Sequence, residues 1–260
     1  MIKKVLYLIV FQAVVSTSYA QDNPAGSSHA VSVAGYFASG DFDLPADTEI
    51  FYMPVRYEFD SKNWGFQLLV PHLRLNGPGA VLINLGGVNR AVAGSDVTRE
   101  SGLGDIVGSA IYHLPVTGES GPFVDLRMDI KLPTADETRG LGSGETDLNL
   151  QVDVAQYWGS TLWFASLGYS FRGSSTLYPD LSNGAYVQLG LARQVSNTVS
   201  VGGILDYREA ASSFTDYILE VGPYVNWQFN DDWSFSAFSL FGFSGASVDA
   251  SVLGQLRYSF

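Results

Sequence analysis

Charged side chains occupy every second position of one segment near the middle of the chain. Between residues 123 and 132, Asp125, Arg127, Asp129 and Lys131 alternate with Val124, Leu126, Met128, Ile130 and Leu132. In an extended strand successive side chains point to opposite faces, so one face is charged and the other is hydrocarbon. The charged face can pair its own ions or present them to a solute.

Other segments repeat this alternation and add charged residues to the polar face. The sequence predicts that these residues share one interior, a lumen, lined by Arg56, Glu58, Asp125, Arg127, Asp129, Lys131, Asp147, Asp153, Arg172, Asp206, Arg208, Asp216, Glu220 and Arg257. Charges inside a membrane protein are costly unless they are paired or wet. Two interpretations stay open: a salt-bridge network that fills the interior, and a lining of mixed charge that selects small polar or zwitterionic solutes.

A hydrolase is the enzymatic alternative. Barrel hydrolases use a serine activated by a histidine that a third group orients. None of the three histidines, His29, His72 and His113, has a serine two residues later, and His72 is the only one predicted at the outer rim. We therefore predict no catalytic residues. Without cysteines, paired histidines or calcium-loop spacing, we predict no metal and no cofactor either.

Twelve segments with period-two alternation, separated by turn residues, would position these side chains. They run from about 29 to 40, 48 to 59, 63 to 75, 102 to 114, 122 to 133, 145 to 157, 160 to 172, 184 to 195, 198 to 209, 214 to 229, 233 to 243 and 248 to 260. Some alternate imperfectly, so ten or fourteen strands also fit. The pattern is typical of an all-β fold, an antiparallel transmembrane β-barrel whose strands face lipid on one side and the lumen on the other.

The first twenty residues have the three parts of a secretory signal. Lys3 and Lys4 precede an apolar run over 5–15, and small residues Ser18 and Ala20 follow. Cleavage after Ala20 would leave residues 21–260 as one barrel domain. No later apolar stretch reaches the roughly 20 residues of a membrane helix, so a membrane form must be a closed barrel. The net charge of −12 argues against a nucleic-acid partner.

Connections of alternating length indicate the orientation. Outer-membrane barrels have short periplasmic turns and longer outer loops. With the N-terminus in the periplasm, the predicted inner turns are 60–62, 115–121, 158–159, 196–197 and 230–232, and the outer loops include 76–101, 134–144 and 173–183. Aromatic residues stand beside several inner turns, where interfacial girdles belong. The terminal Phe260 resembles the signal that the barrel-assembly machinery recognises in outer-membrane proteins.

Three segments resemble a family of outer-membrane proteins associated with the meta-pathway of phenol degradation. They are LVPHLRLNGPG at 69–79, SGLGDI at 101–106, and KLPTAD at 131–136 followed by LGSGETD at 141–147. The resemblance implies a role in moving hydrophobic or aromatic compounds across the outer membrane. This chain departs from the family in an extended, partly apolar second outer loop, which includes residues 80–85.

These observations predict an outer-membrane channel or facilitator for small compounds, including hydrophobic or aromatic ones. Its expected partners are outer-membrane lipid, lipopolysaccharide, the assembly machinery and a small-molecule solute. Val81, Leu82, Ile83 and Leu85 either fold inward as a gate or extend the wall above the membrane. The competing function is that of a narrow, plugged barrel with a structural, adhesion or interaction role.

Overall fold

Antiparallel strands make up most of the chain that the structure describes. The computed structural model describes residues 27–40, 47–78, 82–85, 88–91, 97–115, 121–174, 181–213 and 215–260. Within these ranges the one helical element is a 3₁₀ turn, Glu137–Arg139, and no helix there is long and apolar enough to span a bilayer. The predicted signal peptide, residues 1–20, and its cleavage site lie outside the described residues.

The strands form where β-branched and aromatic residues alternate with polar ones, because such residues fit a pleated, half-buried surface. In chain order they are β1 (Ser27–Gly40), β2 (Thr48–Ser61), β3 (Trp64–Pro78), β4 (Leu82–Leu85), β5 (Val88–Ala91), β6 (Val97–Leu103), β7 (Ile106–His113), β8 (Phe123–Leu132), β9 (Asp147–Trp158), β10 (Thr161–Phe171), β11 (Gly184–Gln194), β12 (Val199–Arg208), β13 (Ile218–Gln228), β14 (Trp233–Gly242) and β15 (Ala250–Ser259). All but one of the predicted segments correspond to a single strand.

The strands close into a barrel. From β7 to β15 each strand pairs with the next, and the ring is completed by the pairs β15–β1, β1–β2, β2–β3 and β3–β7. At the seam, the His29 N–H donates to the Phe260 carbonyl at 3.1 Å, and the Phe260 N–H donates to the His29 carbonyl at 2.8 Å. The predicted twelve-strand antiparallel barrel is confirmed, with β6 and β7 forming one interrupted strand.

The segment predicted over 102–114 is the exception to the single-strand pattern. Its first part, β6, pairs with the end of β3, and its second part, β7, pairs with the beginning of β3. Between them the Gly104 N–H donates to the Pro71 carbonyl at 2.9 Å, and Asp105 leaves the ladder. Because β6 and β3 pair beyond the predicted ends, the outer loop expected over 76–101 is shorter than predicted.

The two sides of the barrel wall differ in chemistry. On β8, the inward Asp129 and Lys131 are 0 % exposed, whereas the outward Leu126 and Met128 are 43 % and 40 % exposed. Other strands keep the same alternation, so that the outer surface is a belt of exposed valine, leucine, phenylalanine and tyrosine side chains. This is the arrangement of lipid-facing and lumen-facing residues in a membrane barrel.

All five tryptophans lie at one end of the barrel. They are Trp64, Trp158, Trp163, Trp227 and Trp233, and each is exposed. They flank the short connections 62–63, 159–160 and 229–232. Gly159 has a φ of 63°, a left-handed conformation that lets β9 turn back within two residues. Tryptophans mark membrane interfaces and short turns face the periplasm, so we assign this end to the periplasm.

An arginine placed on the outer face tests the lipid exposure of β8. Met128 lies midway along the strand and Leu132 ends it. Met128→Arg is expected to lower the free energy of unfolding by roughly 2–4 kcal/mol and Leu132→Arg by about 0–1 kcal/mol, because the cost of a lipid-facing charge falls towards the interface. Denaturant unfolding in phospholipid vesicles, followed by tryptophan fluorescence, measures both. Equal costs at the two depths would contradict a lipid-facing β8.

Candidate functional site

Twelve of the fourteen residues predicted to line the lumen project from the inward faces of strands, and all of them are buried or half-buried. They are Arg56 and Glu58 on β2, Asp125, Arg127, Asp129 and Lys131 on β8, Asp147 and Asp153 on β9, Asp206 and Arg208 on β12, Glu220 on β13, and Arg257 on β15. The inner wall is therefore the candidate functional site. Whether these residues contact a solute stays a prediction.

Arg172 and Asp216 were predicted to line the lumen within strands but lie beyond the strand ends. Side-chain acceptors end the ladder there: Asn183 Oδ1 accepts from the Arg172 N–H, and Asp216 Oδ1 accepts from the Tyr217 N–H, each at 2.8 Å. The Arg172 guanidinium donates to the Ser182 carbonyl, and Asp216 is exposed. Both residues therefore belong to loops.

A buried lysine joins three parts of the chain near the outer end of the barrel. The Lys131 Nζ atom lies 2.7 Å from Asp147 Oδ2 and 3.4 Å from Asp105 Oδ2. It also donates to Ser143 Oγ at 2.5 Å. Two carboxylates around one ammonium offset the cost of removing that charge from water. We call Asp105, Lys131, Ser143 and Asp147 the Lys131 cluster.

The loop between β8 and β9 is fixed beside this cluster. The Thr138 hydroxyl and N–H donate to Asp136 Oδ1 at 2.7 and 3.1 Å, and the hydroxyl's hydrogen bond is the main reason that the pKa of Asp136 lies below its usual value. Leu141 is buried, and a Cβ atom on Gly102 would lie only 2.7 Å from its Cδ1 atom. The glycine thus allows the loop to approach β6.

A second cluster lies deeper along β8. The Arg127 Nε atom donates to Asp129 Oδ1 at 2.7 Å. Its Nη2 atom donates to Ser109 Oγ at 3.0 Å and to Gln67 Oε1 at 3.2 Å. Arg127 therefore connects β8 with β7 and β3 through the interior.

A hydrogen-bonded chain extends the polar wall across β9, β10 and β11. The Gln151 Nε2 atom donates to Asp153 Oδ1 at 2.8 Å, and the Ser166 hydroxyl donates to the same oxygen. Tyr186 completes the chain, since its hydroxyl donates to Gln151 Oε1 at 2.7 Å. Buried amide, hydroxyl and carboxylate groups thus satisfy one another, as polar groups in a protein interior must.

At the periplasmic end, His113 stands between two carboxylates. Its Nδ1 atom lies 2.8 Å from Asp125 Oδ1, and its Nε2 atom lies 3.2 Å from Asp60 Oδ1. Asp125 pairs directly with His113 in the β7–β8 ladder. The contact links β2, β7 and β8 below the arginine of the second cluster.

Further ion pairs stand on other strands of the inner wall. The Arg257 Nε atom donates to Glu58 Oε2 at 2.9 Å, and the Arg208 Nε atom donates to Asp206 Oδ2 at 2.7 Å. The Arg208 guanidinium also lies 4.9 Å from the centre of the Tyr186 ring, within the range of a cation–π contact. The predicted charged residues therefore form several local groups around the barrel.

A group of buried apolar side chains lies on the inner wall opposite β8, among polar residues such as Ser234 and Ser236. β14 lies six positions from β8 around the twelve-strand ring. Its inward Phe238 and Leu240 belong to one buried apolar cluster with Tyr36, Tyr224 and Leu253 of the neighbouring strands. The sequence pattern predicted only the polar residues of the interior. The imperfect alternation of residues 233–243 is the signal that could have revealed an apolar inner face.

Three contacts of the polar wall were also missed. The pairing of His113 with Asp125 could have been found by extending the register across the turn between β7 and β8. The approach of Asp105 and Ser143 to Lys131 has no such signal, because it depends on a strand interruption and on the path of a loop.

The residues predicted as a gate form part of a small hairpin. Leu82–Leu85 is strand β4, which pairs with β5 and not with the barrel. Val81 lies outside the described residues. The gating role of this segment stays a prediction.

The candidate hydrolase histidine lies on the outward face of β3. The His72 Nε2 atom is 3.2 Å from Ser101 Oγ, but in the described ranges no hydrogen bond orients its other ring nitrogen, as a catalytic triad requires. Nor do the described residues include a group of three or more histidine or acidic side chains that could hold a metal ion.

Removal of the Lys131 ammonium is expected to destabilise the barrel. Lys131→Met leaves Asp105 and Asp147 buried without their cation, at a cost of roughly 3–5 kcal/mol in the free energy of unfolding. Arg139→Met breaks an exposed pair with Glu100 and should cost no more than about 1 kcal/mol. Urea unfolding in vesicles measures both variants. Similar, small losses for the two would contradict a structural role for the Lys131 cluster.

Solved structures with a similar architecture include outer-membrane channels, porins and an autotransporter β-domain. The chain matches the COG4313 outer membrane channel from Pseudomonas putida F1 with a TM-score of 0.67 and 11 % identity, over 90 % of this chain and 96 % of that one. It matches the NanC porin with a TM-score of 0.55 and 10 % identity, over 88 % and 98 % of the two chains. The KdgM porin gives 0.50 and 10 %, over 88 % and 99 %. At these identities the likeness shows the fold.

A comparison with curated protein sequences gave no match. The family model described as "Putative MetA-pathway of phenol degradation" matches residues 13–260. The match includes all three segments that carried the resemblance, and it confirms that prediction. The chain therefore belongs to this family of the phenol-degradation MetA pathway.

Proposed function

We propose that this chain is a passive outer-membrane channel or facilitator for small compounds, including hydrophobic or aromatic ones. The observation that carries the proposal is the contrast across a closed wall, with exposed apolar side chains outside and buried ion pairs inside. Only a closed barrel lets strands cross lipid with every backbone group paired. The fold shared with a channel and two porins supports the same function.

The charge of the inner wall favours cations over anions. On the described strands, eight acidic side chains face inward against five basic ones: Glu58, Asp60, Asp125, Asp129, Asp147, Asp153, Asp206 and Glu220 against Arg56, Arg127, Lys131, Arg208 and Arg257. An acidic lining raises the local concentration of cations and repels anions.

The interior also offers two kinds of contact to one solute. Phe238, Leu240 and their apolar neighbours form one buried group on the inner wall. On β11 to β13, Gln188 Oε1, Ser200 Oγ and the Asn226 amide have no hydrogen-bond partner among the described residues. A solute with a hydroxyl group on an aromatic ring can hydrogen-bond to these atoms while its ring contacts the apolar surface. The description of the family supports phenolic compounds as the solute class.

Conductance in planar bilayers tests the channel. We expect the wild-type protein to conduct with a preference for cations. Arg127→Gln removes a positive charge beside Asp129 and should raise the cation-to-anion permeability ratio severalfold. Arg74→Gln, on the outer face of β3, is the matched control and should leave the ratio unchanged. If the protein conducts but Arg127→Gln leaves the permeability ratio unchanged, an ion path past Arg127 would be contradicted.

Solute uptake into proteoliposomes tests for a facilitator that conducts no ions. Tyramine is a suitable solute, because it has a phenol ring and an ammonium group that slows its passage through lipid. A facilitator should take up tyramine faster than a ring-free amine of similar size. If the protein shows no conductance in planar bilayers and no uptake of either amine, the plugged barrel with a structural or adhesion role would be supported instead.

Export and assembly are a separate part of the proposal. We propose that residues 1–20 direct export to the outer membrane, that cleavage follows Ala20, and that Phe260 presents the strand to the assembly machinery. Phe260 is 61 % exposed at the end of β15, and its ring stacks on that of His29. Lipopolysaccharide is expected around the outer rim.

The mass of the membrane-inserted protein tests the cleavage site. Protein extracted from outer membranes should have the mass of residues 21–260, and N-terminal sequencing should begin at Gln21. Inserted protein that still carries residues 1–20 would contradict the proposed signal.

A further inference from the structure

The outer wall has an apolar hollow across β9 to β13. Its volume is about 570 Å³, within the range of roughly 300–1,000 Å³ typical of small-ligand sites. Exposed side chains on its rim include Trp163, Leu189 and Leu191, so it opens outward and not into the lumen. It exists because two outward positions among large side chains, Ala165 and Gly203, carry only a methyl group and no side chain, respectively.

Nearly every residue around the hollow is apolar. Gln156 is the one polar side chain in the lining, and it lies at the periplasmic end beside Trp158 and Trp163. A tryptophan pair at this level marks the boundary between hydrocarbon and headgroups. The hollow therefore extends from the interface into the hydrocarbon of the inner leaflet.

A cation lies directly below the hollow. Arg193 is exposed on the same face of β11 as Leu191 and pairs with Thr161, about 7 Å nearer to the periplasm than Leu191 by the rise of a strand. The two nearest turns, 159–160 and 195–198, contain no acidic residue. On a chain with a net charge of −12, Arg193 is thus a positive charge without acidic residues in the adjacent turns.

We propose that this hollow and Arg193 form a binding site for one anionic glycerophospholipid of the periplasmic leaflet. An acyl chain lies in the hollow over Ala165 and Gly203, the phosphate pairs with the Arg193 guanidinium, and Trp158, Trp163 and Gln156 border the glycerol region. Guanidinium groups bind phosphate through paired hydrogen bonds. The proposal rests on the outer-membrane placement proposed above, but it does not require transport.

Charge complementarity favours a lipid over a second copy of the chain. A second barrel would have to fill a concave apolar surface with its own convex wall and would leave Arg193 facing a surface of the same composition. In a phospholipid of the periplasmic leaflet, the acyl chains lie in the membrane and the phosphate lies nearer to the periplasm. The hollow and Arg193 follow the same order along the wall.

Native mass spectrometry of the full barrel tests the site. The protein is released from nanodiscs that contain phosphatidylethanolamine and phosphatidylglycerol, and the lipids retained per barrel are counted. We expect one preferentially retained phosphatidylglycerol. Arg193→Gln should lower its retention roughly fivefold without changing that of phosphatidylethanolamine, because one basic residue at a membrane surface is worth about that factor for anionic lipid.

Gly203→Leu tests the acyl-chain part of the site. A Cβ atom at Gly203 has only the Gly222 carbonyl within 4 Å, at 3.7 Å, so a leucine fits the fold and fills the hollow. Retention of both lipids should fall. Gly35→Leu is the matched control on another wall, since nothing lies within 4 Å of a Cβ atom there, and Arg74→Gln is the control for charge. Heat-modified gel migration confirms folding of each variant.

Two results would overturn the proposal. One is an equal effect of each variant and its control, which would mean that lipid binds anywhere on the wall. The other is a lipid-free dimer that Gly203→Leu dissociates, which would assign the hollow to a second copy. Neither result depends on conductance, so this test is separate from that of the channel.

Discussion

Closure of the hydrogen-bond ladder between β1 and β15 is the constraint on which the rest of the structure depends. Lipid offers no partner for a free strand edge, and the paired backbone groups of His29 and Phe260 remove the edge. Once the ring is closed, each strand has a fixed inside and outside. A shift of one residue in β8 would turn Asp129 and Lys131 towards lipid. The charged residues therefore specify the register of the ladder that buries them.

The charges also explain why distant segments of the sequence meet. Lys131 needs anions, and they come from a strand interruption at Asp105 and from the first residue of β9, Asp147. The Gly104 N–H, beside that interruption, is bound by the Pro71 carbonyl. All three segments that resemble the family thus contribute to one structural unit at the outer end of the barrel. We interpret those motifs primarily as structural elements of the outer opening of the barrel. A contact of these motifs with a solute would be a second role.

Strands and faces could be predicted from the sequence because both depend on a local pattern. Period-two alternation determines which residues share a face, and short turns limit the register, so β8 and β9 were predicted nearly to their ends. Asp216, predicted within a strand, lies two residues before β13, and its Oδ1 atom accepts from the Tyr217 N–H. Ser143 and Asp105 could not be predicted as partners of Lys131, since loop paths depend on the whole fold. The apolar group around Phe238 was missed because the inward face of β14 changes from Ser234 and Ser236 to Phe238 and Leu240.

Two groups of residues on the inner wall differ in how readily they can bind a solute. Arg127 and Lys131 each have one carboxylate oxygen at 2.7 Å. Replacing such an ion pair by contacts with a passing solute is costly, because the separated charges would remain buried. Polar atoms that have no partner among the described residues, such as the Asn226 amide on β13, can bind a solute without breaking a hydrogen bond seen there. Asn226 lies beside Tyr224, a member of the buried apolar group, on the inward face of β13. We therefore propose that the paired ions maintain the shape of the barrel, and that the apolar group around Phe238, with the polar atoms near it, provides the surface that a solute contacts.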